Sequence, residues 1–399
     1  MSTNPLIPIV IQYDTYRGVT AKDMGRLLSA LKRPDRIRGI DLTVYEKELA
    51  KFFKATKCPF PALESLALRN KDDQVLKIPT TFLKGTNLHL RLRSLKLRPI
   101  SLTSISRLLS SATALNDLSL RINSHGQVPD LLLLLSQLQG LPYLRSLYLE
   151  IICFVDVLGQ LTEPKESFPL AELSSFHYYG HGAFLDILTL GFEAPSLQDV
   201  DIRLSHKTPT PLPIPHFPQF INDVEDHYRA VQVFLERDYF RFSLLASSGD
   251  VHCSPRVRLH LSRFPDSMFQ HWITEITSML SAKLHTVEEL RIIFCHERDA
   301  REEVIPWRAF LEQFPSVREF RIKGTNTHRI ASALQWYHGG SNLSVLPVLE
   351  RITIFPDSFV VDRSSQLAVF QSFVSACQQA GRQVQVTCTH WPTSENSYF

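Results

Sequence analysis

Apolar residues recur along this chain in one short pattern, Leu-x-x-Leu-x-Leu. The clearest copies are Leu63-Leu66-Leu68, Leu92-Leu95-Leu97, Leu115-Leu118-Leu120 and Leu144-Leu147-Leu149. Weaker copies are Ile37-Ile40-Leu42, Leu173-Phe176-Tyr178, Leu197-Val200-Ile202, Val287-Leu290-Ile292, Val317-Phe320-Ile322 and Leu349-Ile352-Ile354. Alternation inside each ladder predicts a strand with one buried face. Between the ladders the apolar spacing changes to that of a helix. Met24, Leu27, Leu28 and Leu31 share one face, as do Ile273, Ile276, Met279 and Leu280, and later Phe370, Phe373 and Val374. Pro129 fits a first helical position and Gly140 a helical stop. Strand and helix in regular alternation predict a parallel sheet with one helical layer.

The ladders recur every 23 to 32 residues within each of two runs. Units of that size, with one strand and one helix each, predict an α/β leucine-rich-repeat-like curved solenoid, its parallel sheet on the concave side and its helices on the convex side. One stretch breaks the rhythm. Residues 208–220 hold five prolines, Pro209, Pro211, Pro213, Pro215 and Pro218, and predict a loop or arm. The expected organisation is a repeat block over 1–207, the Pro-rich arm over 208–220, and an irregular repeat block over 221–399 that continues the same solenoid. In that second block, 222–235 reads as a helix. Tyr239 to Leu244 and Val257 to Leu261 read as strands joined by a turn at Ser247-Ser248-Gly249-Asp250, and Val384 to Cys388 reads as a capping strand.

Composition narrows the function. Lys+Arg is 43 and Asp+Glu is 40, a net charge of +3, which gives no global pull toward nucleic acid or membranes. No run approaches the roughly 18 apolar residues of a membrane span. The N-terminus shows no signal-peptide pattern. Six cysteines without Cys-x-x-Cys spacing read as reduced thiols of a cytoplasmic or nuclear protein. No catalytic motif is present, and no cofactor or metal is expected. Glu172, His177 and His181 could be drawn as metal ligands, and Cys295-His296 as a nucleophile and base. Ladder placement favours structural roles for both groups. A loop-built enzyme around the Pro-rich arm, His227, His252 and His260 is the weakest alternative.

The polar face of the sheet is the better place to look. The residue after the third ladder position is Arg69, Arg98 and Arg121 in three successive repeats, then Glu150, Tyr179 and Arg203. Neighbouring strands lie about 4.8 Å apart. The arginines should therefore stand as a column beside Lys96, an arrangement suited to an acidic or phosphorylated protein segment. Solvation, or pairing with Glu64, Asp72 and Asp117, is the plain alternative. Tyr148, His177 and Tyr179 follow along the same face as aromatic anchors. The expected partner surface is thus Arg69, Lys96, Arg98, Arg121, Tyr148, His177, Tyr179 and Arg203.

Several segments in succession resemble fungal F-box proteins with leucine-rich repeats. They are Leu31-Lys32-Arg33-Pro34-Asp35-Arg36-Ile37-Arg38, Pro59-Phe60-Pro61-Ala62-Leu63-Glu64-Ser65-Leu66, Ala194-Pro195-Ser196-Leu197-Gln198-Asp199-Val200-Asp201-Ile202, Ile330-Ala331-Ser332-Ala333-Leu334 and Val345-Leu346-Pro347-Val348-Leu349. The resemblance implies that the repeats recognise substrates for a cullin-based ubiquitin ligase. In that family an F-box ahead of the repeats docks the ligase linker subunit. This sequence opens instead at Pro5-Leu6-Ile7-Pro8-Ile9-Val10-Ile11, which resembles the strand that follows the F-box. A linker contact is therefore expected only if an F-box lies upstream. The alternative is a stand-alone repeat scaffold without a ligase.

Overall fold

The computed structural model describes residues 8–14, 21–56, 58–79, 81–83, 91–124, 128–153, 161–205, 214–222, 228–236, 239–246, 256–262, 266–294, 306–324, 327–334, 345–356 and 367–389. It is a mixed α/β chain with large, mostly parallel sheets, helices between strands and no closed barrel. It divides into two compact units, Met1–Leu197 and Gln198–Phe399. The Pro-rich stretch lies inside the second unit.

In the first unit the strands are β1 (Ile9–Asp14), β2 (Ile37–Val44), β3 (Ser65–Asn70), β4 (Ser94–Ile100), β5 (Asp117–Ser124), β6 (Ser146–Cys153), the two-residue β7 (Phe168–Pro169), β8 (Ser175–Gly180) and the two-residue β9 (Phe192–Glu193). Seven of them form a sheet in the order β1-β2-β3-β4-β5-β6-β8, every pair parallel, and β7 pairs with β9 separately. Each ladder supplies its fourth and sixth positions to the same face of a strand. Register therefore stacks Ile40, Leu66, Leu95, Leu118, Leu147 and Phe176 in one row. All ladder residues are buried, and each such side chain stabilises by about 2 kcal/mol relative to exposure. Backbone bonds lock the strand starts: Arg93 N–H to Glu64 O, Asn116 N–H to Arg93 O, Arg145 N–H to Asn116 O and Ser174 N–H to Arg145 O.

Helices cover the ladder face. Leu131–Gln139 shows how the five-leucine run resolves: Leu131, Leu134, Leu135 and Leu138 are buried at helical spacing, and Leu132 faces outward. The N-cap is Asp130, whose carboxylate accepts from the Leu133 N–H at 2.9 Å. Pro129 therefore precedes the cap rather than opening the helix, which begins at Leu131 behind the Asp130 cap.

The second unit contains β10 (Asp199–Ser205), β11 (Ala230–Glu236), β12 (Tyr239–Leu245), β13 (Val257–Ser262), β14 (Glu289–Phe294), β15 (Glu319–Lys323), β16 (Arg351–Phe355) and β17 (Gln385–Cys388). Their order is β10-β13-β12-β11-β14-β15-β16-β17. The strand β12 is antiparallel to both neighbours, and the other described pairs are parallel. After β10 the chain thus skips two places and returns as an up-down pair before the parallel series resumes. The two expected strands exist, and their connecting turn falls outside the described residues. The helix expected over 222–235 does not form. A short helix, Phe217–Asn222, is followed by β11. Val231, Val233 and Leu235 face one way and Ala230 and Phe234 the other, and all five are buried. A strand buried on both faces reads as a continuous apolar run, which periodicity cannot tell from a helix.

Asn70, at the end of β3, shapes the loop that follows it. Its side chain is fully buried, donates to the Gln74 carbonyl at 2.9 Å and accepts from the Asp72 N–H at 3.2 Å. The loop it shapes then works in two directions. Asp72 accepts from the Glu46 N–H at the start of helix Glu46–Ala55, and Asp73 pairs with Arg121 at 3.0 Å. Asn123, at the ladder's ninth position, leaves its Oδ1 buried without a hydrogen-bond partner among the described residues. Asn70→Ala is expected to cost about 2 kcal/mol in urea unfolding, the loss of two bonds and an unmet carbonyl. An equal loss from Asn123→Ala would overturn this division of roles.

Candidate functional site

The face opposite the ladders differs between the two units. In the first it is polar and at least partly exposed at nearly every position. The row Lys96, Ser119, Tyr148, His177 runs across β4, β5, β6 and β8 in register. The next row contains Thr43, Arg69 and Arg98, and beyond a register shift, Arg121, Glu150 and Tyr179. The shift lies between Leu97 and Ile100, so Arg98 and Pro99 together take the space that Arg121 takes on β5. The arginine column is therefore regular from Arg69 to Arg98 and broken before Arg121.

The column is also unevenly charged. Arg121 is held by two carboxylates, Asp73 at 3.0 Å and Glu150 at 3.3 Å, neither of them among the partners expected from sequence. Asp73 reaches it only through the loop that Asn70 shapes. Arg98 donates to the Ser119 hydroxyl at 3.0 Å and lies over the Tyr148 ring at 4.5 Å. Tyr148 in turn sits 6.3 Å from His177, whose ring contacts the Ser175 hydroxyl. Arg69 and Lys96 are exposed, and among the described residues neither has an ion-pair partner. Arg69, Lys96, Arg98, Tyr148 and His177 thus form a cationic and aromatic patch. Tyr179 flanks it beside Glu150.

The imagined metal set comes apart. His181 Nδ1 accepts from the Ala183 N–H and caps helix Gly182–Gly191, and Glu172 pairs with Arg145. No group of three metal-ligating side chains occurs among the described residues. Tyr178 is buried and donates to the His181 carbonyl at 2.7 Å, and its burial pushes the phenol well above its ordinary range. His227, His252 and Cys295 lie outside the described residues.

The second unit buries charge on this same side of its strands. Two clusters stand there. In one, Glu289 accepts from Arg291 at 2.7 Å and forms an ion pair with Arg321 at 2.8 Å. Arg321 also reaches Glu319, which pairs with Arg351 at 3.2 Å. In the other, Asp201 is gripped by Arg203 through two bonds of 3.3 and 3.2 Å, with Arg258 at 3.8 Å and His260 Nε2 at 3.3 Å. The His260 contact is off the hydrogen-bond line. On its other side the ring shares a hydrogen bond between Nδ1 and the Tyr239 hydroxyl. His260 is held down at about 4, first by burial and then by Arg203, Arg241 and Arg258, against the upward pull of Asp201. Arg203, expected on the partner surface with the first-unit residues, belongs to this cluster.

Sequence reasoning missed both clusters, although a signal exists. Acid-x-Arg recurs as Asp201-Ile202-Arg203, Glu289-Leu290-Arg291 and Glu319-Phe320-Arg321. On a strand, residues two apart share one face, so each triplet sets an acid beside a guanidinium. No helix among the described residues is long and apolar enough to cross a membrane. No known protein-family model matches the chain, and a search of curated proteins finds no match.

Proposed function

We propose that this chain is a non-enzymatic recognition scaffold that binds a protein partner through the polar face of its first-unit sheet. The supporting observation is the patch built by Arg69, Lys96, Arg98, Tyr148 and His177. Arginine and aromatic side chains are the types that dominate binding energy at interfaces. Here they are held in register by a rigid sheet, with Arg98 stacked on Tyr148. Preorganisation lowers the cost of ordering such groups on binding. Arg69 and Lys96, without ion pairs among the described residues, favour an acidic or phosphorylated partner segment. The resemblance to F-box proteins makes the partner a substrate for ubiquitin transfer, in the cytoplasm or nucleus, with a linker contact only if an F-box lies upstream. The chain's sheets are read as those of a curved leucine-rich-repeat solenoid, with this patch on its concave side.

The test is affinity capture with the wild-type chain and with Arg69→Glu/Lys96→Glu/Tyr148→Ala. All three side chains lie on the exposed face, so the variant should keep its circular dichroism. The expected result is at least tenfold loss of the captured partners. Undiminished capture by a folded variant would overturn the assignment of this face. Recovery of the ligase linker subunit separates the adaptor from a stand-alone scaffold.

A further inference from the structure

Among the described residues, the Asp201 cluster gathers more guanidinium groups than carboxylates. Arg203, His260 and Arg241 are successive neighbours in register across β10, β13 and β12. Arg258 stands two residues before His260, on the same face. Three guanidinium groups thus meet two carboxylates, Asp199 and Asp201. Arg241 is stacked on the Phe234 ring at 4.6 Å, and among the described residues no carboxylate pairs with it. Its Nε and that of Arg258 are buried donors without a hydrogen-bond partner. Buried donors left unmet cost about 1–3 kcal/mol each, so a cluster that keeps two of them beside surplus charge is built at the expense of stability. The Arg203 side chain is 56% exposed and that of Arg258 28%, so the cluster is reachable from one side.

We propose that Arg203, Arg241 and Arg258 form a binding site for a phosphoryl oxyanion, with Asp201 as the internal counterion that holds the guanidiniums in place when the site is empty. This site shares no residue with the first-unit patch. A carboxylate engages one guanidinium fork. A phosphoryl group offers three peripheral oxygens and can engage several arginines at once. Arg203 and Arg241 flank His260 one strand away on either side, so an anion resting between them lies over the imidazole. Such an anion favours the imidazolium, and binding draws a proton onto His260.

The experiment titrates the full chain with sodium phosphate, N-acetyl phosphoserine amide and sodium acetate at matched ionic strength. Heat is read by calorimetry, and the His260 ring protons by NMR. Saturable binding of a phosphoryl probe is expected, with acetate at least tenfold weaker and the His260 titration moved upward from about 4. Arg203→Gln and Arg241→Gln should each weaken binding at least tenfold. Arg203 is the more exposed, so its variant serves if Arg241→Gln does not fold. Phosphoserine amide binding at least as tightly as phosphate would assign the site to a phosphorylated side chain, and its exclusion to the free anion. Absence of saturable phosphoryl binding, equal affinity for acetate, or affinity unchanged in the folded variants would each overturn the proposal. None of these results bears on capture by the first-unit patch.

Discussion

Glu289→Ala is expected to destabilise the second unit by about 3–5 kcal/mol, the cost of leaving a buried charge without its partner. Glu289 is 2% exposed, accepts from Arg291 at 2.7 Å and pairs with Arg321 at 2.8 Å. Its neighbour Arg291 is 7% exposed, so its guanidinium stays largely shielded from water when the carboxylate is gone. Arg321 retains Glu319, at 2.9 Å, and is the lesser casualty. The effect is therefore local to Arg291, which gives a second arm to the experiment. Glu289→Met combined with Arg291→Leu removes both charges from the buried site, and recovers most of the loss if the penalty is an orphaned charge. Urea unfolding of the three chains decides the matter. A single-variant cost below about 1 kcal/mol would show that Glu289 is solvated in solution.

Exposed ion pairs, one in each unit, make the contrast. Arg318–Glu350 and Arg38–Glu64 lie at 3.3 and 3.1 Å, close to the Glu289 distances. Both partners of each are about half exposed, and such pairs contribute roughly 0–1 kcal/mol. Distance alone does not rank these contacts. Burial does.

That ranking also marks what could be read from the sequence. The strand cores were legible because one residue type, leucine, repeats at positions that the pleat sends to one side. Leu147 and Leu149 needed no tertiary information. The exposed patch was partly legible for the same reason: if Leu95 and Leu97 point inward, Lys96 and Arg98 point outward. Its charge state was not. Arg121 is neutralised from Asp73, 48 residues away, through a loop whose shape depends on a buried asparagine. The reading failed at β11, where 222–235 reads as a helix, while at β14 it found the strand but not the buried Glu289–Arg291 pair. Gln232 and Arg291 look like solvent-facing strand residues, and nothing local says that Arg291 or Glu289 will be covered. Strand alternation reports which residues share a face. Whether that face is wet is decided by segments elsewhere in the chain.

Acid is expected to weaken the second unit through His260. In the folded chain this histidine titrates at about 4 because its side chain is buried and faces Arg203, Arg241 and Arg258, with only Asp201 opposing them and Tyr239 bonded to Nδ1. In the unfolded chain it titrates near 6.5. Between those values the unfolded chain binds a proton that the folded chain refuses, so stability falls as pH falls. The contribution is fully present above pH 6.5, declines through the window and is gone below about 4. The shift corresponds to about 3 kcal/mol. Carboxylates elsewhere titrate near the lower end of the same window, so the informative quantity is a difference between two chains. His260→Gln keeps an amide near Tyr239 and Asp201 without a titrating group. The stability gap between wild type and this variant should shrink by about 3 kcal/mol from pH 7 to pH 4, measured by urea unfolding at each pH. A gap that stays constant would mean that His260 is not held neutral by its surroundings. A bound phosphoryl group should reverse the trend, because an anion beside the imidazole stabilises the protonated form that the three arginines oppose.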